Sequence, residues 1–163
     1  MTIALLLFFL PLLSVTSASG DGVHDILKEY GLPKGLLPHS KHHSFSDGDG
    51  ELVVELKAPC YVQSSDIIYY DRIITGKLSY GAISDISGIQ VKKLFVWFPV
   101  SAIEAHPDSG TVEFKVTFLS FSYSSKEFSH TPDCMKGAAT LAGAEELLRD
   151  TEVGPVISLL CSP

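Results

Sequence analysis

Thr111-Val-Glu-Phe-Lys-Val-Thr-Phe-Leu-Ser-Phe-Ser-Tyr123 is the stretch on which the fold turns. Val112, Phe114, Val116 and Phe118 share one face of an extended chain, because side chains on a strand alternate with a period of two. At Leu119, Phe121 and Tyr123 the apolar set switches parity, so the spacing predicts a bulge or sharp bend near Phe118. Upstream, Leu94-Phe-Val-Trp-Phe98 is apolar on both faces, as expected of a strand covered on two sides. Leu52, Val54 and Leu56 alternate with Val53, Glu55 and Lys57 after the turn cluster Ser46-Asp-Gly-Asp-Gly50. Further strands are predicted at about Asp66 to Thr75, from Leu78 to Ile83 after a turn at Gly76-Lys77, and from Gly88 to Val100. Strands joined by short turns pair antiparallel, and a strongly bent antiparallel sheet approaches a closed barrel. The sequence thus predicts a mainly β domain, a small antiparallel β-barrel or strongly curled sheet, with an N-terminal helix and a helical C-terminal tail.

The helix is predicted from Asp21 to Tyr30. Asp21 serves as N-cap, Val23, Ile26, Leu27 and Tyr30 recur at helical spacing, and Gly31 with Pro33 supplies the stop. Gly31-Leu-Pro-Lys-Gly-Leu-Leu-Pro38 then holds two prolines and two glycines, which neither helix nor sheet interior accepts. Its three leucines are too apolar for a solvated linker. The stretch reads as a rigid corner that docks leucines onto a core. At the other end, Ala138 to Arg149 is helix-prone, with Leu141, Ala144, Leu147 and Leu148 on one side.

Residues Ile3 to Leu13 form an apolar run followed by the small-residue stretch Ser14 to Gly20, the layout of a secretory signal cut after Ala18 or Ser19. The run is well short of the ~20 residues that span a bilayer. Three regions result: a signal at 1–19, a β domain at 21–136 and a partly helical tail at 137–163. The formal net charge of −7 falls wholly after Gly20, with no Lys/Arg cluster, which argues against nucleic acid and anionic membranes as partners. Asparagine is absent, so N-linked glycosylation is excluded. Three cysteines in an exported chain imply one bridge and one remaining thiol, and the pairing expected is Cys60 with Cys134, leaving Cys161.

Ile26-Leu-Lys-Glu-Tyr-Gly-Leu-Pro-Lys-Gly-Leu-Leu-Pro38, Gly50-Glu-Leu-Val-Val-Glu-Leu56 with Cys60, Ile74-Thr-Gly-Lys-Leu-Ser79, Ser87-Gly-Ile-Gln-Val-Lys-Lys-Leu-Phe-Val-Trp97 and Pro132-Asp-Cys134 occur in that order. Together they resemble a plant family, the domain of unknown function numbered 538, from about Val23 to Cys134. The resemblance implies a plant protein with a mainly β, barrel-like fold. Roles suggested for the family are binding of lipids or other amphipathic molecules, and ester hydrolysis on chlorophyll-like substrates. The chain departs from the family at His39, His42 and His43 and in its long tail.

Each chemical candidate has a plainer explanation beside it. His39-Ser-Lys-His-His43 with Asp47, Asp49 and Glu51 offers ligands for zinc or copper. Lys41 adds repulsion there, and the stretch is expected to be a solvated turn without a metal. Asp47-Gly-Asp-Gly50 fails as a calcium loop, since Leu52 and Ala58 stand where the glycine and closing glutamate are needed. No Gly-x-Ser-x-Gly elbow is present, and His24, Ser79, His106 and His130 cannot be assembled from spacing alone. Of the strand aromatics, Trp97, Phe114 and Phe118 are the candidates to line a ligand cavity. The expectation is a secreted, extracellular (apoplast or cell wall), non-enzymatic domain that binds a lipid-like or other amphipathic small molecule, with no cofactor and no transmembrane anchor after processing. The rivals are a weak carboxylesterase and a structural or protein-binding extracellular domain.

Overall fold

The computed structural model of the protein describes Thr16–Ser19 and residues 22–136. Among these residues there are ten strands, one α-helix and two short 3-10 turns. Helix α1 spans Gly22–Glu29 and buries Val23, His24 and Leu27. It ends as its glycine demands: Gly31 adopts φ +73°, the Leu32 N–H donates to the Leu27 carbonyl at 2.9 Å, and the Gly31 N–H donates to the Lys28 carbonyl at 3.1 Å. These are the two bonds of a Schellman stop, which a Cβ at Gly31 would strain. The corner that follows turns through the 3-10 segment Lys34–Leu36 and buries Leu32, Leu36 and Leu37.

The strands are β1 (Thr16–Ser19), β2 (His42–Phe45), β3 (Glu51–Glu55), β4 (Cys60–Gln63), β5 (Ile67–Ser79), β6 (Ala82–Lys93), β7 (Val96–Pro99), β8 (Ala102–His106), β9 (Thr111–Lys115) and β10 (Ser120–Ser124). All described pairings are antiparallel, in the order β1-β2-β3-β5-β6-β8-β9-β10, with β4 beside β5 and β7 beside β6. The two long strands organise the sheet. A register shift between Tyr70 and Thr75 divides β5, so that its first half pairs with β4 and its second half with β3. β6 divides in the same way between β7 and β8. A bulge bends the strand that carries it, and here it splits the sheet into two limbs. The limbs meet again where Phe98 of β7 packs on Phe121 of β10, ring centres 5.7 Å apart.

The sheet does not close into a barrel. β1 and β10 end the order without pairing to each other, because the bend is spent on dividing β5 and β6 rather than on bringing the edges together. The predicted turn at Gly76-Lys77 is also absent: Gly76 lies inside β5 opposite Leu52, and the hairpin comes later, at Tyr80-Gly81. A Cβ on Gly76 would stand 2.8 Å from the Ile83 side chain, so this glycine serves cross-strand packing. Cys60 opens β4.

Both stretches that shaped the prediction are hairpins. The parity switch at Phe118 is a reverse turn between β9 and β10, closed by the Val116 N–H donating to the Leu119 carbonyl at 2.9 Å. Leu94-Phe95 is likewise a turn, between β6 and β7, with Leu94 at φ +56°. Neither turn carries Gly, Asn or Pro at its tip, which is why an apolar run hid it. The core lies beneath α1 and the leucine corner and is continuous from Val23 to Phe128. The helix expected from Ala138 to Arg149, and Cys161, lie outside the described residues.

Candidate functional site

A cleft of about 240 Å³ lies where the segment after β10 passes over the start of β5. Val62, Ile68, Tyr70 and Phe128 border it but are almost wholly buried, so its open surface is more polar than apolar. Ser64, Glu127, His130 and Asp133 supply polar groups to its lining.

Three connections hold the two walls. Glu127, in the 3-10 turn Ser125–Phe128, reaches the β4–β5 turn and accepts from Ser64 Oγ at 2.5 Å, Ser65 Oγ at 2.8 Å and the Ser65 N–H at 3.1 Å. The Ser64 bond, reinforced by Ser65 and opposed by partial burial, holds the Glu127 carboxyl below the usual range, so it is ionised at neutral pH. Cys60 and Cys134 are joined by a disulfide, Cα atoms 5.2 Å apart. Next to it, the Met135 N–H donates to the Tyr61 carbonyl at 2.8 Å. Gly35 completes the wall by close approach: a Cβ there would fall 2.1 Å from the His130 carbonyl oxygen. Tyr70 is fully buried and donates its hydroxyl to the Leu36 carbonyl at 2.9 Å, and burial pushes its pKa upward. The corner and the cleft are thereby one unit.

Trp97, Phe114 and Phe118 are not brought together. Phe114 is fully buried, stacked on Phe128 at 5.5 Å and edge-on to Tyr123 at 5.2 Å. Phe118 is 93% exposed at the β9–β10 tip. Trp97 is half-buried on the outer face, its ring 5.9 Å from Tyr61 and 6.3 Å from Tyr69, with Lys92 Nζ 5.3 Å above it. None of the three lines the cleft. The Ser64–Glu127 contact that fastens the cleft carries no sequence signal, since its partners stand 63 residues apart in a turn and a 3-10 segment.

For catalysis, Ser129 Oγ lies 3.0 Å from His130 Nδ1, but its proton goes to the Lys126 carbonyl at 2.8 Å. That hydroxyl caps a turn. Glu104, His106 and Glu113 form a second polar group on the β8–β9 hairpin, donor atoms within 4.8 Å of one another. Lys115 Nζ already sits 2.5 Å from Glu104 Oε1, and His106 Nε2 sits 3.1 Å from Glu113 Oε2, so an ion there would displace an existing pair. The histidine segment after the corner is divided: His39 and His42 are exposed, whereas His43 is buried, and burial first and His24 second press its pKa below the ordinary value.

Among the described residues no helix is long and apolar enough to cross a membrane. Residues 23–129 match the model of a family described as "Protein of unknown function, DUF538". An uncharacterized protein of Arabidopsis thaliana is 30% identical over 82 residues, a match covering 48% of this chain and 48% of the relative. The chain therefore spans about half the length of that curated relative. No solved structure matches with significance.

Proposed function

The chain belongs to the DUF538 family, whose activity is unassigned, and from that premise we propose that this member is an extracellular domain that binds a small amphipathic molecule in the cleft beside the Cys60–Cys134 bridge. The cleft itself carries the reading: Val62, Ile68 and Phe128 border a concavity whose polar side holds the ionised Glu127. Each methylene buried against its apolar part contributes roughly 0.8 kcal/mol. The carboxylates of Glu127 and Asp133 favour a neutral or cationic head over an anionic one. The disulfide and the leader-like run at Ile3 to Leu13 support an oxidising, extracellular setting. The ligand is thus assigned to the cleft rather than to Trp97, Phe114 and Phe118.

The test is titration of the protein with a fluorescent long-chain alkylamine and with the matching fatty acid. Saturable 1:1 binding of the amine, lost when Thr131→Trp fills the cleft from its rim, is the expected result. Absence of binding by either amphiphile in the folded protein overturns the proposal. Turnover of a chromogenic ester that disappears in Ser129→Ala favours the esterase instead.

A further inference from the structure

The β6–β7 hairpin carries apolar residues at a tip where the fold does not bury them. Leu94 is 90% exposed and Phe95 is 93% exposed, and Val96 beside them is more than half exposed. Leu94 also holds φ +56°, a conformation that bulky side chains rarely adopt and that asparagine takes more readily. Neither Leu94 nor Phe95 is part of the core, so packing does not account for the strain. Behind the tip the hairpin changes character. Lys93 pairs with Val96 and Lys92 with Trp97 across the ladder, and as sequence neighbours the two lysines leave opposite faces of the strand. Lys92 Nζ lies 5.3 Å from the Trp97 ring centre, and Lys93 Nζ pairs with Asp66 and lies 5.0 Å from the Phe121 ring. Trp97 packs with Tyr61 and Tyr69 into a half-buried aromatic group on the outer face.

We propose that this tip inserts into the interface of a lipid bilayer. Apolar side chains at the end, amphipathic rings behind them and lysines alongside match the order of acyl chains, headgroup boundary and phosphate oxygens. Trp97 stands two residues behind Phe95, about 7 Å along an extended chain, within the roughly 5–10 Å to which interfacial apolar groups sink. The tip is convex and offers three apolar side chains, far less than the ~800 Å² per partner of a standard protein interface. A bilayer needs no groove to receive it, whereas a second copy or another protein does. The net charge of −7 gives no long-range attraction to an anionic surface, so the attraction is apolar and the lysines meet the phosphates of zwitterionic lipid. Phe118 is as exposed as Phe95, but its hairpin points the other way. Lys93, at the first tip, lies over Tyr123 toward the far end of β10. Lys115, beside the second tip, accepts from the Ser101 N–H beyond the far end of β7. The Lys93–Asp66 pair ties the inserting tip to the Ser64–Ser65 turn at the cleft, but the docking does not rest on what the cleft binds.

Trp97 is the only tryptophan in the chain, so its emission reports on this hairpin even where the apolar run Ile3 to Leu13 also adheres to lipid. The full chain is titrated with phosphatidylcholine vesicles, and again with vesicles of the same lipid brominated along its acyl chains. A blue shift of Trp97 emission and quenching by bromine are expected. The partition coefficient should fall about 10-fold in Phe95→Ser and by a similar factor in Leu94→Asn, and stay unchanged in Phe118→Ser. All three positions are exposed, so each variant is compared at a melting temperature no lower than that of the native chain. Emission unmoved by vesicles, a shift that survives the joint Leu94→Asn and Phe95→Ser change, or a shift lost equally in Phe118→Ser overturns the proposal. A dimer in analytical ultracentrifugation that Phe95→Ser dissolves, without quenching by brominated lipid, assigns the tip to a second copy and overturns it too.

Discussion

Cys60, the first residue of β4, is bonded to Cys134, 74 residues further on, and the bridge fastens one wall of the cleft to the other. The wall after Phe128 has few other fixings: the Met135–Tyr61 backbone bond, the close approach of His130 to Gly35 and the Glu127 clamp before it.

Opening the bridge therefore weakens both fold and cleft. A loop of this length closed by a disulfide constrains the unfolded chain by roughly 4 kcal/mol on the chain-entropy estimate. Cys60→Ser with Cys134→Ser should lower stability by that order in urea unfolding. Hydrogen exchange should show loss of protection at the Met135 amide.

The Glu127 clamp sets an acid limit. Its carboxyl is held below the ordinary value in the folded protein, so the stability it contributes is complete above the unfolded pKa and is lost as pH falls through the folded one. Thermal melts from pH 6 downward should fall more steeply for the native chain than for Glu127→Gln. Equal slopes would mean the clamp carries no linkage.

Gly35 should tolerate nothing larger. The obstacle to a Cβ is backbone, the carbonyls of His130 and Phe128, so the clash cannot relax by a side-chain rotation. Gly35→Ala is expected to destabilise by about 3 kcal/mol or more, measured by denaturant midpoint at unchanged slope.

Leu94 is the opposite case. It is 90% exposed and sits at φ +56°, a conformation that costs a bulky residue about 1 kcal/mol or more. Leu94→Asn keeps the turn and relieves the strain, and the melting temperature should rise by several degrees. Phe95 beside it is 93% exposed, and Phe95→Ser should leave stability unchanged while raising solubility.

What could be read from the chain follows from how local each signal is. The helix, its glycine stop and the docked leucines are set by neighbours within eight residues, and Val23, Leu27, Leu32, Leu36 and Leu37 are all buried as the spacing predicts. Alternation placed Leu52 and Val54 inward, and the Cys60–Cys134 pair followed from the positions of the cysteines. The two apolar hairpin tips are silent in the sequence, because a turn built from Leu, Phe and Thr carries none of the residues that announce one. Barrel closure cannot be judged from periodicity, since it depends on where the bend of β5 and β6 sends the sheet edges. The cleft joins a turn at Ser64 to a segment near Glu127 and is a product of assembly. The stretch expected as a solvated turn instead enters β2, where His43 is buried opposite Val54.

The pairing of Thr16–Ser19 with His42–Phe45 places β2 between β1 and β3. A cut after Ala18 or Ser19 would remove most or all of β1 and turn β2 into the free edge of the sheet, a row of unpaired backbone groups open to another strand.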